Sequence, residues 1–128
     1  MSTTQLPYVD GFVLPVPKSN LEAYKKMATV AAVVWKEHGA LDYKECVLED
    51  ARIEGMVSFL DLAGVKEDET VVFAYIVYPS REARDEVNAK VMADPRIQAS
   101  CPERNPDAVV PFDWSRMAYG GFQTLVSA

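Results

Sequence analysis

The feature that most constrains the fold is the run at residues 70 to 78, TVVFAYIVY, which is apolar at nearly every position. A strand with one wet face alternates apolar and polar residues, whereas a strand covered on both faces is apolar throughout. Apolar side chains would stand on both faces here: Val72, Ala74 and Ile76 on one, and Val71, Phe73, Tyr75 and Val77 on the other. The chain must therefore supply cover for both sides of a sheet.

A second helix is predicted directly after this strand. Ser80 is placed to cap it, and acidic residues follow in the first turns, near the positive end of the helix dipole. Ala83, Val87 and Val91 form its inner row, and the pair Asp94-Pro95 ends it, because the residue before a proline leaves the helical region.

The other elements follow from the same signals. Strands are predicted at 8 to 16, 41 to 48 and 116 to 126, and Gly120-Gly121 predicts a bulge or a close backbone approach. Ser19 and Glu22 form a capping box that opens the first helix, and Gly39 ends it. Residues 58 to 65 could form a helical turn or a short extra strand, residues 97 to 114 an ordered proline-rich loop, and residues 1 to 7 a frayed start. The first helix has one apolar stripe: Leu21, Tyr24, Met27, Ala28, Ala31, Val34, Trp35 and His38.

The order β-α-β-β-α-β predicts an α+β fold, the ferredoxin-like antiparallel sheet with two helices on one face, as a single domain over residues 1 to 128. Two helices cover only one face of such a sheet. A second copy of the same sheet is the simplest cover for the other face, so the sequence predicts a homodimer.

Composition excludes some classes of function. The 13 Lys and Arg against 19 Asp and Glu give a net charge of −6, which disfavours nucleic acid and anionic membranes as partners. No signal-peptide pattern and no long apolar run are present, which favours a cytoplasmic location. Cys46 and Cys101 are far apart, and two free thiols are expected. One histidine without ligands at metal spacing predicts neither a metal nor another cofactor.

Three residues are candidates for acid–base chemistry. His38 is the one histidine, although a structural role at the end of the first helix is the more frequent case. Asp10 stands inside an apolar strand, where a carboxylate needs a partner such as Arg116 or Lys44, or else acquires a perturbed pKa. Tyr75 could point its phenol into a pocket. We expect Asp10, Trp35, His38 and Tyr75 to border one cavity between the sheet and its helices.

Four residues are candidates for ligand binding: Trp35, Trp114, Arg116 and Tyr119. Trp35 and Trp114 could form walls against a flat ligand. Arg116 could anchor an anion, or pair with Asp113 or another carboxylate, beside a lid formed by residues 102 to 116. Arg84, Asp85 and Asn88 form a polar row on the second helix, which a solvated face explains.

The stretches DETVVFAYIVYPSREARDEVNAKVMADPR and PFDWSRMAYGGF, with YVDGFVLPVPK and VWKEHGALDYKECV, resemble the YbaA-like family of small bacterial proteins of unknown function. The resemblance implies the dimeric α/β-barrel superfamily, in which two ferredoxin-like sheets pack face to face. Relatives there include cofactor-independent monooxygenases and lactone isomerases, so the resemblance implies binding or turnover of a small apolar or aromatic molecule. The alternative is a non-enzymatic ligand-binding or stress-related dimer, since fold does not fix function.

Overall fold

The computed structural model describes residues 6 to 128. This part of the chain forms four strands and four α-helices, and the α+β class expected from the sequence is confirmed. The strands are β1 Tyr8–Pro17, β2 Asp42–Val47, β3 Glu69–Tyr78 and β4 Ala118–Gln123, and the helices are α1 Leu21–His38, α2 Phe59–Ala63, α3 Arg81–Met92 and α4 Pro95–Gln98. Of the frayed start expected at residues 1 to 7, residues 1 to 5 lie outside the described residues.

The sheet is antiparallel with the order β2-β3-β1-β4, which is the ferredoxin-like arrangement. The register aligns Asp10 with Ile76 and Gly121, and Gly11 with Tyr75 and Gly120. Because residues directly opposite each other share a face, Asp10 and Ile76 point to one side of the sheet and Tyr75 to the other. We call these two sides the helix face and the open face.

The core lies on the helix face in two adjoining clusters. The first joins Leu14, Val16 and Val72 with Tyr24 and Ala28 of α1, and Phe112 closes it. The second joins Ile76 and Tyr78 with Val34 of α1 and Val87 and Val91 of α3. The apolar stripe predicted for α1 is confirmed, since each of its members is buried or partly buried.

Helix ends follow the expected chemistry with one exception. Ser80 Oγ accepts a hydrogen bond from Ala83 N, and Gly39 ends α1 at a φ of 122°, a conformation that favours glycine. The prediction of a capping box at Ser19 is wrong. A 3-10 turn at Lys18–Asn20 precedes α1, and Asn20 occupies the N-cap position of α1. The Asn20 side chain instead donates to Pro111 O, which ties the start of α1 to the proline-rich loop.

The open face is covered at one end only. The segment that connects β2 to β3 contains α2, whose N-cap is Ser58. This segment lies over one end of the open face, where Pro15 and Val71 are fully buried. Phe73 and Phe122, further along the same face, remain 43% and 60% exposed. Thus the helical alternative for residues 58 to 65 is confirmed, and this segment contributes part of the cover that the apolar β3 requires.

The last strand is shorter than the prediction of 116 to 126. Residues Trp114–Arg116 form a 3-10 turn whose cap, Asp113, accepts from Ser115 N. At the other end, Gln123 pairs with Tyr8, the first residue of β1, so β1 offers no further partner to residues 124 to 126. The pairing of β4 with β1 continues without a break through Gly120 and Gly121, so there is no bulge at these residues. The predicted alternative, a close approach to the backbone, is the one found, because the Tyr8 ring lies against Gly121.

Within residues 6 to 128, no helix combines the length and the apolar character needed to cross a bilayer.

Candidate functional site

The charged group most fully enclosed on the helix face is Asp10, which is 1% exposed in the middle of β1. Its carboxylate accepts a hydrogen bond of 2.9 Å from Arg84 Nη1 on α3. The sequence-based expectation that Arg116 or Lys44 would serve as its partner is wrong. Both of those residues pair elsewhere, whereas α3 packs directly over the centre of the sheet and delivers Arg84 to Asp10.

Arg84 gathers the polar groups around Asp10. Its Nη1 also donates to Tyr119 Oη at 2.9 Å, and its Nε donates to Asp85 at 2.8 Å. The guanidinium carbon lies 5.1 Å from the centre of the Tyr8 ring, within range of a cation–π contact. Tyr119 is half exposed on the edge strand β4, so this cluster extends from a buried carboxylate to the surface.

A second polar group adjoins this cluster deeper under α3. Trp35 Nε1 donates at 3.1 Å both to Tyr78 Oη and to Asn88 Oδ1, and Tyr78 Oη donates to Asn88 Oδ1 at 3.2 Å. Burial, with the charge of Asp10 nearby, raises the pKa of Tyr78 above its ordinary value. Tyr78 is therefore a neutral hydrogen-bond donor at physiological pH.

The polar row on α3 is thus not the solvated face that the sequence suggested. Asp85 is exposed, but Arg84 and Asn88 turn toward the sheet together with Val87 and Val91. A sequence signal for this orientation exists: positions 84, 87, 88 and 91 follow the three–four spacing of an inward helix face. Asp10 is the second signal, because a carboxylate inside the apolar β1 requires a cation such as Arg84 beside it.

The open face has a different character. Gly11 and Gly120 lie directly opposite each other on β1 and β4, and the Phe122 ring lies over both. On the helix face, the Tyr8 ring lies over Gly121 in the same manner. The Tyr8 ring occupies the space that a Cβ at Gly121 would need, and the Phe122 ring would crowd a Cβ at Gly11, which explains the glycines at these two positions.

An apolar cleft opens on this face beside the edge strand β2. It has a volume of about 340 Å³ and lies between the end of β2, the first half of β3 and α2. Its lining residues are Cys46, Val47, Leu48, Glu49, Phe59, Val71 and Phe73. The rings of Phe59 and Phe73 meet edge to face at 6.5 Å, and Tyr75 stands next to Phe73 with its ring 6.1 Å away. The cleft thus offers aromatic walls with one exposed thiol at its edge.

His38 lies apart from both places. Its Nε2 is 2.9 Å from Asp94 Oδ2, in a partly exposed pair that links the end of α1 to the turn before α4. Asp94 also accepts from Arg96, and these hydrogen bonds hold the pKa of Asp94 well below its usual range.

Arg116 and Trp114 occupy the approach to β4. Arg116 donates to Glu69 from both terminal nitrogens, at 2.7 and 2.9 Å, and to the Gly64 carbonyl at 2.8 Å. The Trp114 ring, half exposed, packs on Phe112 at 4.7 Å. The end of the proline-rich loop is therefore joined to the helix-face core through Phe112, on the side of the sheet away from the cleft.

The structure brings some predicted site residues together and separates others. Asp10 and Tyr119 share Arg84 as a hydrogen-bond donor, and Trp35 belongs to the adjoining polar group around Tyr78. Tyr75 is on the opposite face of the sheet, and His38 lies in its own ion pair. The single cavity expected to be bordered by Asp10, Trp35, His38 and Tyr75 is therefore not what the fold forms, because strand alternation places Asp10 and Tyr75 on opposite sides.

Sequence reasoning also missed a carboxylate held by two phenols. Glu45 accepts from Tyr24 Oη at 2.7 Å and from Tyr43 Oη at 2.6 Å, at the edge of the sheet under α1. Burial, followed by the charge of Glu45, raises the pKa of both tyrosines. The alternation of Tyr43 and Glu45 on one side of β2 is the only sequence signal for this group.

Comparison with known proteins places the chain among small bacterial proteins. The family described as "Protein of unknown function (DUF1428)" matches residues 7–114. The "Uncharacterized protein YbaA" of Escherichia coli (strain K12) is 41% identical over 121 residues, which cover 94% of this chain and 98% of the relative. The protein of the same description from Shigella flexneri matches with the same values.

The fold is also seen among solved structures. One of them is described as a dimeric ferredoxin-like protein from an uncultured marine organism, and it superposes with a TM-score of 0.56 at 13% sequence identity. The superposition covers 96% of this chain and 100% of that chain. At this identity, the similarity concerns the fold.

Proposed function

Because this chain belongs to the DUF1428 family of proteins of unknown function, we propose its role from its own surfaces: it is a homodimer that binds a small apolar or aromatic molecule. The binding site is the cleft formed by β2, β3 and α2. The observation that carries this proposal is the cleft itself, whose volume of about 340 Å³ falls in the range of small-molecule pockets. Its walls are almost entirely apolar, so the ligand is uncharged over most of its surface.

The homodimer is supported by the open face. A sheet with α1 and α3 on one side, and only α2 over one end of the other, leaves Phe73 and Phe122 exposed on that other side, beside the partly buried Val9, Val13 and Val77. A two-fold axis between two such faces would bury both patches at once, and self-complementary interfaces of this kind are the most common in oligomers. The structural relative described as dimeric is consistent with this arrangement.

Ligand binding is tested with a neutral fluorescent probe such as N-phenyl-1-naphthylamine. Cys46→Trp fills the cleft from an exposed position on β2, and we expect it to weaken probe binding at least tenfold while the fold is retained by circular dichroism. The matched control is Met92→Trp, which adds the same ring to an exposed site on α3. Equal binding by the two variants would exclude the cleft as the site.

The homodimer is tested by light scattering at micromolar concentration. Phe122→Glu should give a monomer, because it would bring a charge into an apolar interface, whereas Met92→Glu should remain a dimer. A monomeric parent protein would contradict the proposal directly.

Catalysis is the second candidate, and one observation favours it: a buried carboxylate, Asp10, is connected through Arg84 to the half-exposed phenol of Tyr119. This network could support cofactor-independent oxygenation or isomerisation of an aromatic substrate at the β4 edge. Binding ranks first because Arg84 occupies the Asp10 carboxylate and the cleft lies on the other face. Of the catalytic candidates, only Tyr75 stands near the cleft. Oxygen consumption with hydroquinone-type substrates, lost in Tyr119→Phe and kept in Tyr75→Phe, would reverse this ranking.

A further inference from the structure

Residues 125 and 126 have apolar side chains that find no packing partner among residues 6 to 128 of their own subunit. After Gln123, Thr124 is held by a hydrogen bond to the Pro7 carbonyl. Leu125 and Val126 follow and are 90% and 83% exposed, among the most exposed apolar side chains of the described chain. Side chains of this kind next to an apolar sheet face indicate a contact surface rather than a solvated end.

The C-terminal segment, residues 124 to 128, and the cleft lie at diagonally opposite corners of the sheet. The segment leaves β4 where Gln123 pairs with Tyr8, while the cleft lies where Cys46 of β2 pairs with Phe73. Three strand spacings separate the two edges by about 14 Å, and five residues along a strand add about 17 Å, so the diagonal is about 22 Å. Five extended residues span at most about 18 Å. The segment therefore cannot reach the cleft of its own subunit.

A second copy can bring the two corners together. A two-fold axis that lies between two open faces, perpendicular to this diagonal, carries each corner onto the opposite corner of the partner. Both contacts then form at the same time, as a self-complementary interface requires. The open mouth of the cleft at Cys46, Phe59 and Phe73 would face Leu125 and Val126 of the other chain, which are among its most exposed aliphatic side chains.

From this geometry we infer that the C-terminal segment of a second copy covers the cleft, with its Leu125 and Val126 as the missing wall. The inference rests on the proposed homodimer and deepens it, because the ligand site is then incomplete in one subunit. A ligand would enter and leave only when the segment of the other subunit moves away. The largely apolar lining, in which Glu49 is the one charged residue, and the apolar side chains of the segment agree in character.

The contact is tested by disulfide cross-linking in the full chain. The double variant Cys101→Ser, Leu125→Cys leaves Cys46 as the only other thiol, exposed at the edge of the cleft. Mild oxidation with copper phenanthroline in air, which accepts the two electrons and two protons of the thiol pair, should convert most of the protein to a covalent dimer on a non-reducing gel. Three controls should show little cross-linking: Cys101→Ser alone, the triple variant with Cys46→Ser added, and Cys101→Ser with Met92→Cys.

The possible outcomes are separable. A covalent dimer that requires both thiols supports the inference. A protein that is dimeric by light scattering but cross-links no more than the Met92→Cys control overturns the position of the segment and leaves the homodimer in place. A monomeric protein overturns both.

Discussion

Arg84 and Asp10 are 74 positions apart in the sequence, yet Nη1 of the arginine lies 2.9 Å from a carboxylate oxygen of the aspartate. The carboxylate is 1% exposed and the arginine side chain is 13% exposed, so this is a buried ion pair between the central strand β1 and the helix above it.

Removing one member of that pair should be costly. Arg84→Met leaves the Asp10 carboxylate without its cation in the core, and breaking a buried pair from one side costs about 3–5 kcal/mol. We expect urea unfolding, at fixed protein concentration, to show a loss of this size. The control Arg81→Met, at an exposed site one turn earlier, should change stability by less than about 0.5 kcal/mol. The double variant Asp10→Leu, Arg84→Met should recover much of the loss. A small effect of Arg84→Met would show that water reaches Asp10.

Gly121 and Gly120 should respond differently to the same methyl group. A Cβ at Gly121 would lie 2.9 Å from ring carbons of Tyr8, whereas one at Gly120 would meet the Phe122 ring at 3.6 Å, an ordinary contact. Gly121→Ala should therefore cost about 1–3 kcal/mol, and Gly120→Ala should cost little. Thermal unfolding of the two variants measures the difference. If Tyr8→Ala in the Gly121→Ala background does not relieve the loss, steric conflict with Tyr8 is not its cause.

Stability should fall in acid through Glu69. The Arg116 guanidinium and the Lys66 backbone N–H lower the pKa of Glu69 from 4.5 to about 2. Because the pKa is lower in the folded protein than in the unfolded chain, this contribution is complete above pH 4.5 and is lost as pH falls from there to about 2. We expect Glu69→Gln to flatten the pH dependence of the unfolding free energy in that window. Identical slopes for parent and variant would assign the acid sensitivity to other carboxylates, such as Asp94.

His38→Gln should have a small effect. The pair with Asp94 is partly exposed, and Asp94 keeps its hydrogen bonds from Arg96 when His38 is replaced, so the loss should be about 0–1 kcal/mol. Probe binding in the cleft should be unchanged. Probe affinity that falls at constant stability would restore His38 to the binding site.

The order of elements was accessible from the sequence because local signals determine it. The apolar run of β3, Ser80 as a cap and Gly39 as a stop each depend on neighbours within a few positions. The site was less accessible, because Asp10 finds its partner on α3 and the cleft depends on how α2 folds back over the sheet. The prediction that Tyr75 and Asp10 border one cavity rests on their side-chain chemistry alone. Only the register of β1 with β3 shows that the two side chains lie on opposite faces of the sheet. The inward turn of Arg84 could have been found from its spacing to Val87 and Val91.

The position of β1 has a consequence for how the protein is made. β1 is the first of the four strands to be synthesised, but its partner on one side, β4, comes from residues 118 to 123 and is the last of the four. On the ribosome, β1 and β3 can pair while β1 still presents an unpaired edge to the cell. That edge, with Val9, Val13 and the two-sided apolar β3 beside it, is open to pairing with other chains until β4 has been synthesised. A nascent chain stalled at Ser115, before β4, should therefore recruit chaperones, and one stalled after β4 has left the ribosome should not.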